Sequence, residues 1–417
     1  MTSTTAVILA GGKGTRSADP TQAKLAQEIG GQSLMAWHVD ILQKSPINEV
    51  LVVAGHLGDQ VRSLCESLEA HDLDVTVIQE SDPQGTVAAL RRAAESSSAS
   101  NFLVLLGDIL LSFPIEDFLS SWKSSGKGVG VCVHPSTHPD DSDAVFESFD
   151  GVVHAVPKSN RDSSTPNMSS TGVFALSRAA INTYQNETDI GSDLLVSAAQ
   201  GQDLYAHVSS HYFRDTGTPT RLESAREDCE SGAFEQRGQL LPRPAIFLDR
   251  DGVINPTSPE VYSASDFTLI PGVAQSIHAA NQAGVPVFVV TNQPGIAKGF
   301  MTFETHEQIR AVMDQLLGQD GAFIDEYAYC PHYPYAGFEG EVPELKVLCT
   351  CRKPEPGLIT QLASAHKIDL EKSFMIGDHQ RDELAANAAG LPFIYSGQGL
   401  ELEPPQAILS ALEQITC

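Results

Sequence analysis

Short apolar runs, each followed by a stretch whose apolar residues have helical spacing, recur along this chain in two series. In the first series, residues 6–10, 50–54, 75–79 and 102–106 have the composition of strands buried on both faces. Residues 34–44, 58–69 and 86–95 lie between them as expected helices. In the second series, 245–248, 287–290 and 373–376 read as strands, and 272–283, 303–317, 357–366 and 381–389 as helices. Such alternation predicts an α/β chain of two doubly wound domains, each a mostly parallel sheet flanked by helices. The series part at residues 231–244, SGAFEQRGQLLPRP, where glycines, prolines and the lack of a period read as a linker. The expected organisation is a first domain over 1–232, a linker over 233–244 and a second domain over 245–417. Open α/β sheets bind ligands beyond the carboxyl ends of their strands, so the polar residues that follow the strands are the candidates for chemistry.

Composition narrows the class. With 417 residues, 41% hydrophobic and 19% charged, the chain has the make-up of a soluble globular protein. No apolar stretch approaches the roughly 18–20 residues of a membrane span. The start, MTSTTAVILAGG, lacks the basic region of a secretory signal, and the expected location is the cytoplasm. A formal charge of −27 argues against a nucleic-acid partner, because a phosphate backbone would be repelled. It leaves room for phosphate ligands held locally by backbone amides, metal ions and a few cations. The oligomeric state is not readable. Cys65, Cys132, Cys229 and Cys417 are scattered and expected as free thiols, whereas Cys330, Cys349 and Cys351 cluster with His332.

Four strand ends of the second series carry unusual residues: Asp249-Arg250-Asp251-Gly252, Thr291-Asn292-Gln293, Cys351-Arg352-Lys353-Pro354 and Gly377-Asp378, with Asp382 four residues on. Phosphoryl transfer needs such parts. A carboxylate can attack phosphorus and carry the phosphoryl group. Hard oxygen ligands suit the Mg²⁺ that neutralises phosphoryl oxygens. A hydroxyl and a fixed cation hold the remaining oxygens, and a second carboxyl protonates the leaving group. Asp249, Asp378, Thr291, Lys353 and Asp251 can fill these places. The set resembles the haloacid dehalogenase superfamily. Within it, DRDGVIN, TNQPGIAKG, CPH with CTCRKPEPG, and GD are similar to the heptose-bisphosphate and histidinol phosphatases over roughly residues 243–400. The resemblance implies Asp249 as nucleophile and Asp251 as acid/base. It implies Mg²⁺ on Asp249, the Asp251 carbonyl and Asp378, and a substrate grip by Thr291, Asn292, Gln293, Arg352 and Lys353. Pro294 stands where that family usually has serine.

Cys330-Pro331-His332 and Cys349-Thr350-Cys351 supply three thiols and an imidazole, a donor set for a closed tetrahedral Zn²⁺ site. Such an ion would pin the loop that delivers Arg352 and Lys353.

In the first series, Gly11-Gly12-Lys13-Gly14-Thr15-Arg16 follows a strand, and its glycines would let amide groups approach phosphates. Lys24, Gly85-Thr86, Gly107-Asp108 and Asp215-Thr216-Gly217 come later. Together they resemble the sugar-1-phosphate nucleotidylyltransferases over roughly residues 4–230. That family joins a sugar phosphate to a nucleoside triphosphate with loss of pyrophosphate. The resemblance implies nucleotide contacts from Gly11, Gly12, Gly14, Thr15, Arg16, Lys24, Gly85 and Thr86, with Mg²⁺ on Asp108 and Asp215 and sugar phosphate on Lys158. Departures at Gln22-Ala23-Lys24, Pro157-Lys158-Ser159 and Ser170-Thr171-Gly172 fall in the sugar-recognition segments. His134, His138, Asp141 and Asp143 read as a polar substrate-side loop rather than a metal site.

The two resemblances meet on one intermediate. Removing the 7-phosphate of a heptose 1,7-bisphosphate leaves the anomeric phosphate that a nucleotidyltransferase requires. The expectation is a bifunctional enzyme of nucleotide-activated heptose synthesis, with GTP as donor and GDP-D-glycero-α-D-manno-heptose as product for surface polysaccharide. The alternatives are a histidinol-phosphate or other sugar-phosphate phosphatase fused to a mannose-1-phosphate-type nucleotidyltransferase, or to a first domain that only binds a sugar nucleotide.

Overall fold

The computed structural model describes residues 3–12, 19, 21–68, 72–162, 164–397, 400 and 402–416. The chain divides into two compact units. One comprises Met1–His134, Pro139–Arg161 and Met168–Phe234; the other comprises Pro135–His138, Asp162–Asn167 and Glu235–Cys417.

The first unit is built on a nine-stranded sheet. At its centre Asn101–Leu106, Thr4–Ala10, Glu49–Ala54 and Asp74–Gln79 lie side by side and parallel. Val7, Ile8, Val52, Val53, Leu103 and Val104 are fully buried, as strands covered on both faces require. Helices Leu34–Gln43, Gly58–Ser67 and Thr86–Glu95 connect these strands. The long strand Ser169–Ser177 runs antiparallel beside Asn101–Leu106 and extends the sheet.

The second unit has five strands, all parallel, in the order Glu326–Cys330, Val287–Asn292, Ile246–Leu248, Phe374–Gly377, Phe393–Tyr395. Helices Val273–Gln282, Phe303–Gly318, Gly357–His366 and Gln380–Ala389 flank them. The register pairs Leu248 with Val289 and with Ile376, so Asp249 follows at the level of Val290 and Gly377.

The stretch read as a linker differs from expectation. Helix Pro219–Ser231 ends at Gly232 in the left-handed conformation, and a second short helix, Ala233–Arg237, follows. Within the first unit, Phe234 packs edge-on against Trp37 and Tyr212, with centroids 4.8 and 4.9 Å away. Within the second, Arg237 is buried and holds both carboxylate oxygens of Asp325. Five residues cannot form a helix on their own propensity. Their order comes from tertiary partners that a local pattern does not carry.

Candidate active sites

In the second unit the strand ends converge. Asp249 directly follows Ile246–Leu248, and its amide bonds the Ile376 carbonyl at 3.0 Å, which sets it beside Gly377 and Asp378. Gly252 has φ +90°, and a Cβ there would stand 2.1 Å from Asp378 Oδ2. Only glycine lets the chain after the first carboxylate pass this close to the second. Oxygens of Asp249, Asp378 and Asp382 lie within 4.8 Å of one another. Lys353, almost wholly buried, puts Nζ 3.0 Å from Asp249 Oδ1 and 2.8 Å from Asp382 Oδ1, and donates to the Val290 carbonyl. Asn292 fixes that lysine's backbone from both sides, donating to its carbonyl and accepting from its amide at 3.0 Å each.

Asp251 has a different environment. Arg250 grips it with contacts of 2.8 to 3.2 Å, and Asn255 and Gln293 donate to it at 3.0 and 2.8 Å. Gln293 also donates to Thr291 Oγ1 at 3.0 Å. These surroundings separate the carboxyls. Burial raises Asp251, but the Arg250 guanidinium and these hydrogen bonds hold it below the usual range. Burial raises Asp249, against the pull of Lys353 and with the repulsion of Asp382 and Asp251. Burial, then Asp249 and Asp382, push Asp378 to about 6. Asp249, Asp378 and Asp382 gather more negative charge than Lys353 and the more distant Arg381 offset, and hard oxygen donors of this kind suit Mg²⁺.

Cys330, His332, Cys349 and Cys351 form a second group, with ligand atoms 3.2 to 3.6 Å apart along the recorded edges. A tetrahedron of sulfur around Zn²⁺ at about 2.3 Å has edges of roughly 3.8 Å, so the four donors fit such an ion. Arg352 follows the last cysteine directly and donates to the His332 carbonyl at 3.2 Å.

In the first unit a cavity of about 430 Å³ opens at the ends of the central strands. Gly11, Gly12, Lys24, Gly85, Thr86 and Asp108 all line it. The Thr86 hydroxyl is engaged within the fold, donating to Asp189 and accepting from the Ile190 amide. Gly14, Thr15 and Arg16 lie outside the described residues. Lys24 pairs with Asp108 at 2.6 Å. A Cβ on Gly217 would stand 2.8 Å from Asp215 Oδ1 and 3.2 Å from Asp108 Oδ2, so both carboxylates face one point. Lys158 does not line the cavity among the described residues. It pairs with Asp141, which also binds Arg221, and Arg221 holds Asp215. The polar loop around Asp141 therefore reaches the carboxylate pair through a chain of charges.

Two residues gained a place that sequence reasoning had not given them. Asp382 sits in the first turn of helix Gln380–Ala389, where one oxygen caps the His379 amide and the other meets Lys353. Its spacing looks like ordinary capping. Glu80 follows strand Asp74–Gln79, lines the cavity and is only 4% exposed. No motif marks it.

Residues 6–211 match the family model of the MobA-like NTP transferase domain, and residues 350–406 match that of HAD-hydrolase-like proteins. A D-glycero-β-D-manno-heptose-1,7-bisphosphate 7-phosphatase of Rhodopseudomonas palustris is 39% identical over 168 residues, covering 40% of this chain and 91% of that protein. The protein of the same name from Escherichia coli K12 is 39% identical over 148 residues, covering 36% of this chain and 75% of its own. No helix among the described residues is long and apolar enough to cross a membrane.

Proposed function

The chain belongs, through its second unit, to the family of the D-glycero-β-D-manno-heptose-1,7-bisphosphate 7-phosphatases, joined to an NTP transferase domain, and we propose that it makes a nucleotide-activated heptose in two reactions. The observation that carries this reading is the 39% identity across nearly the whole of a 7-phosphatase, in the same chain as a nucleotidyltransferase domain. The first reaction removes the 7-phosphate of the bisphosphate; the second joins the remaining heptose 1-phosphate to a nucleoside monophosphate with release of pyrophosphate.

For the phosphatase, Asp249 attacks phosphorus and forms an aspartyl-phosphate. Lys353 steadies the charge on Asp249 and the phosphoryl oxygens, and Thr291, Asn292, Gln293 and Arg352 orient the substrate. Asp251 gives a proton to the leaving sugar oxygen as its bond to phosphorus breaks, and takes one from the water that then hydrolyses the aspartyl-phosphate. Its low carboxyl suits the second of these acts; the first requires a proton taken up against Arg250. Asp249, Asp378, Asp382 and the Asp251 carbonyl would hold Mg²⁺, which when bound neutralises phosphoryl oxygens. Cys330, His332, Cys349 and Cys351 would hold a structural Zn²⁺.

For the transferase, Gly11, Gly12, Lys24, Gly85 and Thr86 would receive the nucleotide, and Asp108 and Asp215 a second Mg²⁺. Glu80 supports guanine as the base. It is buried in the cavity wall, and Arg92 is 3.7 Å away. A carboxylate accepts hydrogen bonds only, and guanine offers two adjacent donors, N1–H and the amino group, where adenine presents an acceptor at N1. Glu80→Gln should therefore narrow the preference for GTP over ATP.

The deciding assay supplies both anomers of heptose 1,7-bisphosphate with Mg²⁺ and each NTP in turn. Phosphate, pyrophosphate and an NDP-heptose are the expected products, with GTP the best donor. Phosphate release without any nucleotide sugar sinks the two-reaction reading. Turnover of histidinol phosphate as fast as the bisphosphate sinks the heptose assignment.

A further inference from the structure

Arg250, which grips Asp251, is only 2% exposed and is itself supported from the core side. A guanidinium presents its N–H donors in a fixed fork, and Asp251 takes those on Nε and Nη2. Nη1 is buried as well and makes no close hydrogen bond among the described residues. Besides Asp251, the side chain that engages the guanidinium is Tyr327, through its hydroxyl. That hydroxyl lies 3.2 Å from Nε2 of His306. A line of polar groups thus runs from His306 through Tyr327 and Arg250 to Asp251.

The line is built from two periodicities. Tyr327 and Tyr329 share one face of strand Glu326–Cys330, and His306 and Arg310 lie one turn apart on helix Phe303–Gly318. The His306 ring is 4.1 Å from that of Tyr329 and 5.6 Å from that of Tyr327, and the Arg310 guanidinium is 5.6 Å from the Tyr327 centroid. Around them are Ile309, Met313 and other buried apolar residues. A polar group placed in such a core costs free energy unless its hydrogen bonds are made. Here they are made in one direction. Burial lowers the His306 imidazole, against the pull of Glu307 and with the repulsion of Arg250 and Arg310, so the ring is neutral. Its Nδ1 faces Glu307 at 3.8 Å and carries the proton, which leaves Nε2 to accept from Tyr327. The tyrosine oxygen keeps its lone pairs for Arg250.

We propose that Tyr327 and His306 are positioning residues of the phosphatase: they hold the Arg250 guanidinium and through it set Asp251 at the place where the leaving oxygen takes its proton. This rests on the reading of Asp251 as the acid/base.

The test separates substrates by their need for that proton. A sugar oxygen leaves poorly without one; the acetate of acetyl phosphate leaves as a weak base and needs none. Tyr327→Phe, which keeps the ring, should lower kcat/KM for heptose 1,7-bisphosphate by about tenfold or more, and leave kcat/KM for acetyl phosphate within about twofold. His306→Gln, whose amide oxygen can accept from Tyr327, should keep most of the rate on the bisphosphate. His306→Leu, which suits an apolar core better, should share the selective loss. A packing role ranks these two variants the other way, and that order overturns the proposal. Asp251→Asn supplies the reference and should be selective in the same sense. If it is, and Tyr327→Phe loses nothing or loses equally on both substrates, the proposal is overturned and the phosphatase reading stands. Equal loss on both substrates in Asp251→Asn removes Asp251 as the acid, and both readings fall.

Discussion

Asp378 shows how a single carboxyl is set against its surroundings. Burial and two neighbouring carboxylates raise it to about 6. An unfolded aspartate titrates near 3.9, so between about pH 4 and 6 the native state keeps a proton that the unfolded state has released. This contribution to stability is therefore greatest at low pH and falls as pH rises through that window. At about pH 7.5 without metal the charged group destabilises the fold, and Asp378→Asn should raise the melting temperature. The same change should abolish the further rise that Mg²⁺ gives the wild type, measured by calorimetry with and without chelator. Asp320→Asn, at an exposed position, controls for one unit of net charge. A full Mg²⁺ response in Asp378→Asn contradicts the three-carboxylate site. Gly217 gives the matching prediction in the first unit. A methyl group there meets Asp215 and Asp108 at 2.8 and 3.2 Å. Displacement of either carboxylate by a fraction of an ångström should lower nucleotidyl transfer by about 10–100-fold. Phosphate release by Gly217→Ala should stay at the wild-type level; unchanged pyrophosphate release would remove Asp108 and Asp215 from the reaction.

At the scale of elements, legibility depended on whether the deciding contact was local. The central strands could be read because residues such as Ile246, Phe247 and Leu248 are all fully buried, and burial on both faces leaves an unbroken apolar run. The helix Ala233–Arg237 could not, because its order depends on partners far along the chain. Asp382 could be picked out four residues after Asp378 but given no role, because one oxygen caps the helix and the other's part needs the position of Lys353. Glu80 is a lone acid after a strand, and only its burial distinguishes it. The short helix makes its own prediction. Arg237 and Asp325 are 5% and 0% exposed, and Asp325 also accepts from the Val287 amide. Removing the arginine strips a fully buried carboxylate of its bidentate partner, so Arg237→Ala should destabilise the second unit by at least about 2 kcal/mol in urea titrations. A loss below ~1 kcal/mol, typical of surface pairs, would return the segment to the status of a linker. The cysteine loop is tested separately. Cys351→Ser should lose bound zinc and, because Arg352 and Lys353 follow directly, most phosphatase activity; metal analysis that finds no zinc in wild-type protein rejects the ion.

At the scale of the whole molecule, each unit contains its own strand-end carboxylates and its own cation set against them. In the second unit Lys353 faces Asp249 and Asp382; in the first, Lys24 faces Asp108 and Arg221 faces Asp215. Among the described residues the two sets have no member in common, so the two reactions should be separable by single substitutions that preserve shape. Asp249→Asn keeps the side-chain volume and removes the nucleophile. It should cut phosphate release by at least about 10³-fold. Pyrophosphate release from supplied heptose 1-phosphate and GTP should continue at the wild-type rate. Asp108→Asn should do the reverse, accumulating heptose 1-phosphate from the bisphosphate. Mixing the two variants should then restore nucleotide sugar from the bisphosphate, because the intermediate is a soluble sugar phosphate that either chain can release and bind. Failure of the mixture, with each variant folded and active in its own half, would mean that the intermediate has to pass within one chain.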